Sequence, residues 1–355
     1  MKTPMKNTTH VTVAQIDEFE DVIDARSPGE FALDRVPGAR NYPVFDDEER
    51  ARVGTLYASS PFEARKLGAA LLARNVARHL EQAFAAQPAS WRPLVYCWRG
   101  GKRSGAMAHI LREVGWRAVT LQGGYQAYRR AVVAELETLP LGHAFRVICG
   151  PTGSGKSLLL RELAAQGAQV LDLEGLARHR GSVLGGLPEE PQPTQKAFES
   201  GLRQTLRAFR SDMPVFVEAE SRKIGNLHLP NALLDRMRAS PCLRVEPPLA
   251  ERVRFLVSEY RHLTDRPPLL RKLLEQLSGL QPRSVIQHWL DCIEAGAWVD
   301  LTTDLLEKHY DPLYRRSMQR NYPVQDEVQR PDTLTCAELA ACASRLLQST
   351  DAVAA

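Results

Sequence analysis

The stretch "FRVICGPTGSGKSLLL" (145–160) decides the fold of more than half of this 355-residue chain. Five residues rich in β-branched and aromatic side chains run into a glycine-rich turn, and an apolar helical run follows. Gly150 to Ser157 fits G-x-x-x-x-G-K-[ST] without a mismatch, and the strand before it and the helix after it are the context that gives the motif its meaning. In such a loop the backbone N–H groups of Thr152, Gly153, Ser154, Gly155, Lys156 and Ser157 wrap a phosphate or diphosphate. Lys156 adds a point charge and Ser157 a hydroxyl suited to Mg²⁺. The motif alone specifies phosphate binding, and ATP hydrolysis does not follow from it.

Outward from the loop, the pattern stays α/β. Strands are expected at 168–174 and 214–220, with a helix at 196–210 between them. The Gly/Pro-rich stretch 179–195 reads as a ligand-covering or mobile loop, and 242–246 as a further strand. Beyond about 247 the sequence reads as helical with no further strand. An acidic residue is expected at the end of the 214–220 strand, and "VFVEAESRKIG" (215–225) offers Glu218 and Glu220 where aspartate is usual. Alternation favours Glu218 as the metal or water partner; the alternative is that both glutamates only pair with Arg222 or Lys223.

The preceding part of the chain has its own α/β alternation. Strands are expected at 20–25, 93–97 and 117–124, with a helix at 61–86 striped by Leu67, Leu71, Val76, Leu80 and Phe84 and another at 104–114. In "YCWRGGKRSG" (96–105), Cys97 ends a strand and opens a loop of Trp98, Arg99, Gly100, Gly101, Lys102, Arg103 and Ser104. A helix N-terminus, backbone N–H groups and three cations around one sulfur all favour the nucleophilic thiolate. The six cysteines show no CxxC pair and no metal-ligand spacing, which suits a reducing compartment, and Cys149, Cys242 and Cys292 are read as inert packing groups.

Composition adds bounds. The formal charge of +4 permits an anionic partner without demanding one. No apolar run approaches the roughly 20 residues of a membrane helix, so no membrane association and a cytoplasmic location are expected. Three regions are expected: 1–138, 139–250 and a helical 251–355 packed on the second and contacting RNA. "HYDPLYRRSMQRNY" (309–322) interleaves Tyr310, Tyr314 and Tyr322 with Arg315, Arg316 and Arg320, a pattern suited to stacking and phosphate contacts; its alternative is a plain solvated helix face. "RVRFLVSEYRH" (252–262) offers a second basic face, with Arg222 and Trp98 as further RNA-contact candidates.

"VIDARSPGEF" (22–31), "RVPGARNYP" (35–43), the cysteine loop and "LQGGY" (121–125) together resemble the rhodanese family over residues 10 to 130. One departure stands out: the loop arginine, Arg103, is six positions after Cys97, and the fifth is Lys102. That spacing resembles the related cell-cycle-type cysteine phosphatases and arsenate reductases, whose wider loops hold a tetrahedral oxyanion. Adding "GTLYASSPFEARKLGA" (54–69), "PVFVEAESRKIGNLHLP" (214–230) and "HYDPLYRRS" (309–317), the chain resembles the bacterial tRNA 2-selenouridine synthase family.

That resemblance implies a rhodanese-like parallel-sheet domain followed by a P-loop α/β domain with a helical C-terminal part. It implies exchange of sulfur for selenium at C2 of a 2-thiouridine at the tRNA wobble position. Geranyl diphosphate would first alkylate the sulfur, and selenophosphate would then supply selenium. Cys97 would attack selenophosphate or carry selenium as a perselenide, Arg103 and the loop would hold the phosphate, and the P-loop would hold the prenyl donor's diphosphate. The implied partners are the tRNAs for Lys, Glu and Gln and a selenophosphate synthetase; no tightly bound cofactor is expected, with Mg²⁺ optional. A cysteine phosphatase, a sulfurtransferase and a non-enzymatic P-loop regulatory module are the alternatives.

Overall fold

The computed structural model describes residues 9–182, 184–186, 190–322 and 327–354. Two compact units divide the chain: Met1–Leu136 with Pro193–Gln204, and Glu137–Gln192 with Thr205–Ala355. Each is built on its own parallel sheet.

In the first unit the strands are β1 (His10–Val11), β2 (Val22–Asp24), β3 (Arg40–Asn41), β4 (Leu94–Tyr96) and β5 (Val119–Leu121), in the order β1-β5-β4-β2-β3. Every pairing is parallel. β4 lies in the middle, and all three of its residues are fully buried, because helices cover both faces of such a sheet. The helix Pro61–Gln82 contributes Leu71 and Val76 to that cover, and Phe84, just past its end, joins them. Leu67 and Leu80 are only partly buried against the same cluster.

The sequence reading missed a helix before this one, Asp47–Ser59. Asp46 caps it, accepting from the Glu49 N–H at 2.7 Å while Glu49 reaches back to the Asp46 N–H. None of its residues is fully buried, so it lacks the apolar stripe that betrays a helix in sequence.

The second unit holds β6 (Phe145–Cys149), β7 (Gln169–Leu171), β8 (Val215–Glu218), a small antiparallel hairpin of β9 (Lys223–Ile224) and β10 (Leu227–His228), then β11 (Cys242–Val245) and β12 (Glu327–Gln329). The main sheet runs β12-β11-β6-β8-β7, again all parallel, with β6 in the middle. β12 corrects the expectation of no strand after about 247. It is a half-buried edge of three residues, and backbone pairing with β11 holds it where no apolar pattern announces it. The C-terminal helix Cys336–Ala354 places Leu339, Cys342, Ala343 and Leu346 on Leu159, Leu160 and Leu163 of the helix that follows the P-loop.

Two further expectations are corrected. Cys149 and Cys242, read as separate inert thiols, are joined in a disulfide between the neighbouring strands β6 and β11. Arg252, read as part of a basic outer face, is 5% exposed.

Candidate functional site

Both glycine-rich loops leave the carboxyl end of the middle strand of their sheet, the usual place for a ligand crevice in open parallel sheets.

In the first unit, Cys97 follows β4 directly and is 3% exposed. The loop closes into the helix Lys102–Glu113, and Ser104 in its first turn donates from Oγ to Cys97 Sγ at 3.2 Å. The sulfur therefore sits against the positive end of a helix, beside a hydroxyl donor. Close backbone approach fixes the other side. Gly100 and Gly124 have φ of +65° and +57°, and a Cβ on Gly124 would lie 2.3 Å from the Cys97 carbonyl oxygen. Without that side chain, the Tyr125 N–H donates to the Cys97 carbonyl at 2.8 Å and the Gln126 N–H to that of Trp98 at 3.0 Å.

The cations of this loop differ. Arg99 and Lys102 are exposed, whereas Arg103 donates to Glu30 at 2.8 Å. Glu30 also pairs with Arg50 at 2.9 Å. Burial alone would raise the Glu30 pKa, but the Arg103 hydrogen bond and the charges of Arg103 and Arg50 hold it below the usual carboxylate value. Glu30 was not singled out from sequence as a site residue, although it is the glutamate of the "DARSPGEF" signature. The aspartate and arginine of that signature form a buried floor. Arg26 pairs with Asp24 at 2.6 Å, lies 4.0 Å over the Tyr125 ring, and donates to the Asp34 carbonyl at 2.7 Å. Trp98 packs on Tyr125 at a centroid distance of 5.3 Å.

In the second unit the P-loop lines a cavity of about 630 Å³. Gly153 and Gly155 adopt φ of +77° and +79°, the left-handed turns that let consecutive N–H groups converge. Lys156 Nζ donates to the Gly150 carbonyl at 2.7 Å. Burial draws its pKa down against the pull of Glu174, Glu220 and Glu218. Arg252 props the loop from behind, donating to the Thr152 carbonyl at 2.9 Å while pairing with Asp311 at 2.6 Å. Its sequence signal was a lone cation within the apolar Leu249, Val253 and Leu256 face of its helix.

The acidic residues divide their roles. Glu218 ends β8 at 1% exposure and accepts the Glu174 N–H at 2.8 Å. Burial, with Asp172, Glu174 and Glu220 nearby, pushes its pKa well up. Glu220, rather than the favoured Glu218, lines the cavity. Burial and Glu174 push the Glu220 carboxyl up to about 7, against the pull of Lys156. Ser157 Oγ donates to Glu174 at 2.8 Å, and Glu174 was not foreseen. Arg222 pairs with neither glutamate and donates to Asn231 at 2.7 Å.

The RNA-contact candidates of the C-terminal region separate. Arg315, Arg316 and Arg320 are exposed, whereas Tyr310, Tyr314 and Tyr322 line the P-loop cavity, so the tyrosines do not share a stacking face with the arginines. Burial raises all three phenols, Tyr322 to about 12. A π-helical turn, Leu306–Tyr310, sits between the helices Trp298–Leu305 and Asp311–Asn321 and carries Tyr310 at its end. Such turns re-aim side chains within a helical run and recur at functional sites. Of the loop 179–195, residues 183 and 187–189 lie outside the described residues, while His179, Arg180, Gly181 and Ser182 line the cavity.

Among the described residues no group of three or more His, Cys, Asp or Glu is disposed to hold a metal ion, and no helix is long and apolar enough to cross a membrane. The Ser157 and Glu174 oxygens suit Mg²⁺, which takes much of its coordination from phosphate and water.

Comparison with known proteins agrees with this geometry. A family model described as the tRNA 2-selenouridine synthase AAA domain matches residues 143–267, and one described as a rhodanese-like domain matches residues 9–131. The chain is 38% identical over 244 residues to the tRNA 2-selenouridine synthase of Nitrosomonas europaea, a match covering 67% of this chain and 63% of that protein's length. It is 33% identical over 352 residues to the synthase of Bdellovibrio bacteriovorus, covering 85% and 89%. To that of Hydrogenovibrio crunogenus it is 32% identical over 343 residues, covering 87% and 94%. With a rhodanese-type cysteine loop and a P-loop each at the middle strand of a parallel sheet, the chain belongs to the tRNA 2-selenouridine synthase family.

Proposed function

We propose that this chain replaces sulfur by selenium at C2 of a 2-thiouridine in the tRNA wobble position, in two steps that use its two loops separately. In the first, the thiocarbonyl sulfur attacks C1 of geranyl diphosphate. The C–O bond breaks, diphosphate departs into the P-loop, and the base loses its N3 proton. In the second, a selenium nucleophile adds to C2, geranyl thiol leaves with its electron pair, and N3 regains a proton. Alkylation is needed because a thiocarbonyl sulfur is a poor leaving group, whereas an S-alkyl centre releases a thiol.

The observation that carries this reading is Cys97, 3% exposed at the floor of a cationic loop and accepting a hydrogen bond from Ser104. Its thiolate attacks phosphorus of selenophosphate. The P–Se bond breaks with both electrons leaving on selenium, and water later cleaves the S–P bond. This route balances without an oxidant, which a perselenide formed from selenophosphate would require. The six-residue spacing from Cys97 to Arg103 leaves room for a tetrahedral phosphorus group. Arg103, shared with Glu30, is placed to exchange a carboxylate partner for a phosphate one.

In the P-loop, Lys156 and the converging N–H groups stabilise the departing diphosphate. Mg²⁺, when bound, would neutralise diphosphate charge beside Ser157 and Glu174. The wobble base lies in a single-stranded loop and can be turned out for either step. The tRNAs for Lys, Glu and Gln are the proposed substrates, and a selenophosphate synthetase the proposed selenium supplier. Nucleoside mass spectrometry of tRNA from cells carrying Cys97→Ser tests the reading. Selenouridine is expected to vanish while S-geranyl-2-thiouridine accumulates, and normal selenouridine would overturn it.

A further inference from the structure

The P-loop cavity has an apolar annex of about 60 Å³, and both lie within the second unit. Five residues line both spaces: Thr152, Ser182, Leu256, Tyr260 and Tyr310. The rest of the annex is walled chiefly by leucines and Trp298, from the helices Leu249–Glu259, Arg261–Thr264, Pro267–Glu275 and Trp298–Leu305. None of its lining residues is charged, and none is His, Asn or Gln. The phosphate-loop cavity thus adjoins, across these five residues, a hydrocarbon-lined recess that nothing above uses.

From this adjacency we infer that the annex seats the hydrocarbon tail of the diphosphate ester held by the P-loop, and that Trp298, Leu301 and Thr302 set the length of tail accepted. The inference rests on the proposed assignment of the P-loop to a diphosphate leaving group.

Size and chemistry select the occupant. One water takes about 10–15 Å³ on the same measure, so the annex holds about four to six non-hydrogen atoms, the size of one isoprene unit. A two-unit tail then places its first unit in the shared mouth, between Tyr260 and Tyr310, and its terminal unit in the annex. A third unit has no room without displacing Trp298 or Leu301. A nucleoside fits poorly for two reasons: adenine alone has about twice the atoms the annex holds, and the lining offers no amide, carboxylate or imidazole to read a base edge. Four of the five shared residues carry hydroxyls (Thr152, Ser182, Tyr260 and Tyr310), while the annex's own lining is mostly leucines with Val257, Trp298, Thr264 and Thr302, the usual division of a ligand pocket into an apolar body and few polar groups. The π-helical turn supplies this arrangement by ending on Tyr310, which faces both spaces.

Calorimetry on the full chain tests this with inorganic diphosphate, dimethylallyl, geranyl and farnesyl diphosphates, and ADP. Geranyl diphosphate is expected to bind at least about tenfold tighter than inorganic diphosphate, because tail burial removes apolar surface from water. Thr302→Phe, which narrows the annex from a half-buried position, is expected to erase that gain while keeping inorganic diphosphate affinity within about twofold. Trp298→Ala, which deepens it, is expected to improve farnesyl relative to geranyl diphosphate by about tenfold. Equal affinity for inorganic and geranyl diphosphates in the parent, or a chain-length preference unmoved by both variants, overturns the inference and leaves the P-loop reading intact. ADP binding tighter than geranyl diphosphate overturns it too. Absence of binding by every diphosphate overturns the P-loop reading itself.

Discussion

The Cys97 loop and the P-loop are built to one plan, each leaving the middle strand of a five-stranded parallel sheet and opening a helix. They differ in where the charge is kept. Around Cys97 the nucleophile is buried and the cations stay at the rim, with Arg103 already matched by Glu30. In the P-loop the cation itself, Lys156, sits half-buried at the floor with its Nζ on the Gly150 carbonyl, under the charges of Glu174, Glu218 and Glu220. Under the proposed function the same backbone cradle serves different chemistry according to what lies at its floor: a thiol for bond formation in one, a lysine for holding a leaving group in the other.

The largest effect expected to separate the loops comes from Cys97→Ser. Selenium incorporation should fall by about 10³-fold or more, since an alcohol at this position is not ionised, while inorganic diphosphate affinity measured by calorimetry stays unchanged. A loss of diphosphate binding in that variant would break the division of labour. Next is Arg252→Ala, which leaves Asp311 unpaired in a nearly closed site. Thermal and denaturant unfolding should show a loss of about 3 kcal/mol, accompanied by weaker diphosphate binding. Unchanged stability would mean that the Arg252–Asp311 pair does not hold the loop.

Lys156→Ala should loosen inorganic diphosphate by about 10–100-fold, the scale of one charge-assisted contact. The rate of Cys97 alkylation by iodoacetamide should stay as in the parent; a change in both would mean the loops are not independent.

The smallest effect is a pH dependence. Glu220 titrates near 7 in the folded chain, against its ordinary 4.5 when unfolded. Between those values the folded chain holds the extra proton, so this group lowers stability as pH rises through the window. Glu220→Gln should therefore gain about 1–2 kcal/mol over the parent at pH 8 and almost nothing at pH 4.5, read from melting temperatures at both. An equal gain at both pH values would remove the carboxyl as the cause.

Several elements of this comparison were legible in the chain itself. The P-loop, its strand and its helix lie within 21 consecutive residues, and Cys97 with its cations within ten, so short-range backbone geometry carries them. The partner of Arg103 was visible only as a letter in a signature: Glu30 is 73 positions away, and folding β2 beside β4 brings the two together. Glu220 was present on equal terms with Glu218. Strict alternation misjudged the pair because all four residues of β8 are buried, and the cavity begins only where the strand ends.

The tyrosines of 309–322 mark the limit most clearly. By sequence they alternate with arginines and read as one surface, yet the π-helical turn and the packing of Met318 and His309 put them on the inside. By itself the sequence determined the chemistry of each loop: a strand, glycines at left-handed positions and a helix start suffice to aim N–H groups at one point, and all are local. Only the tertiary structure decided what each loop works with. The Glu30 clamp, the Arg252 prop, the strand β12 and the apolar annex all join segments tens of residues apart, and their existence depends on which faces the two sheets leave to be covered.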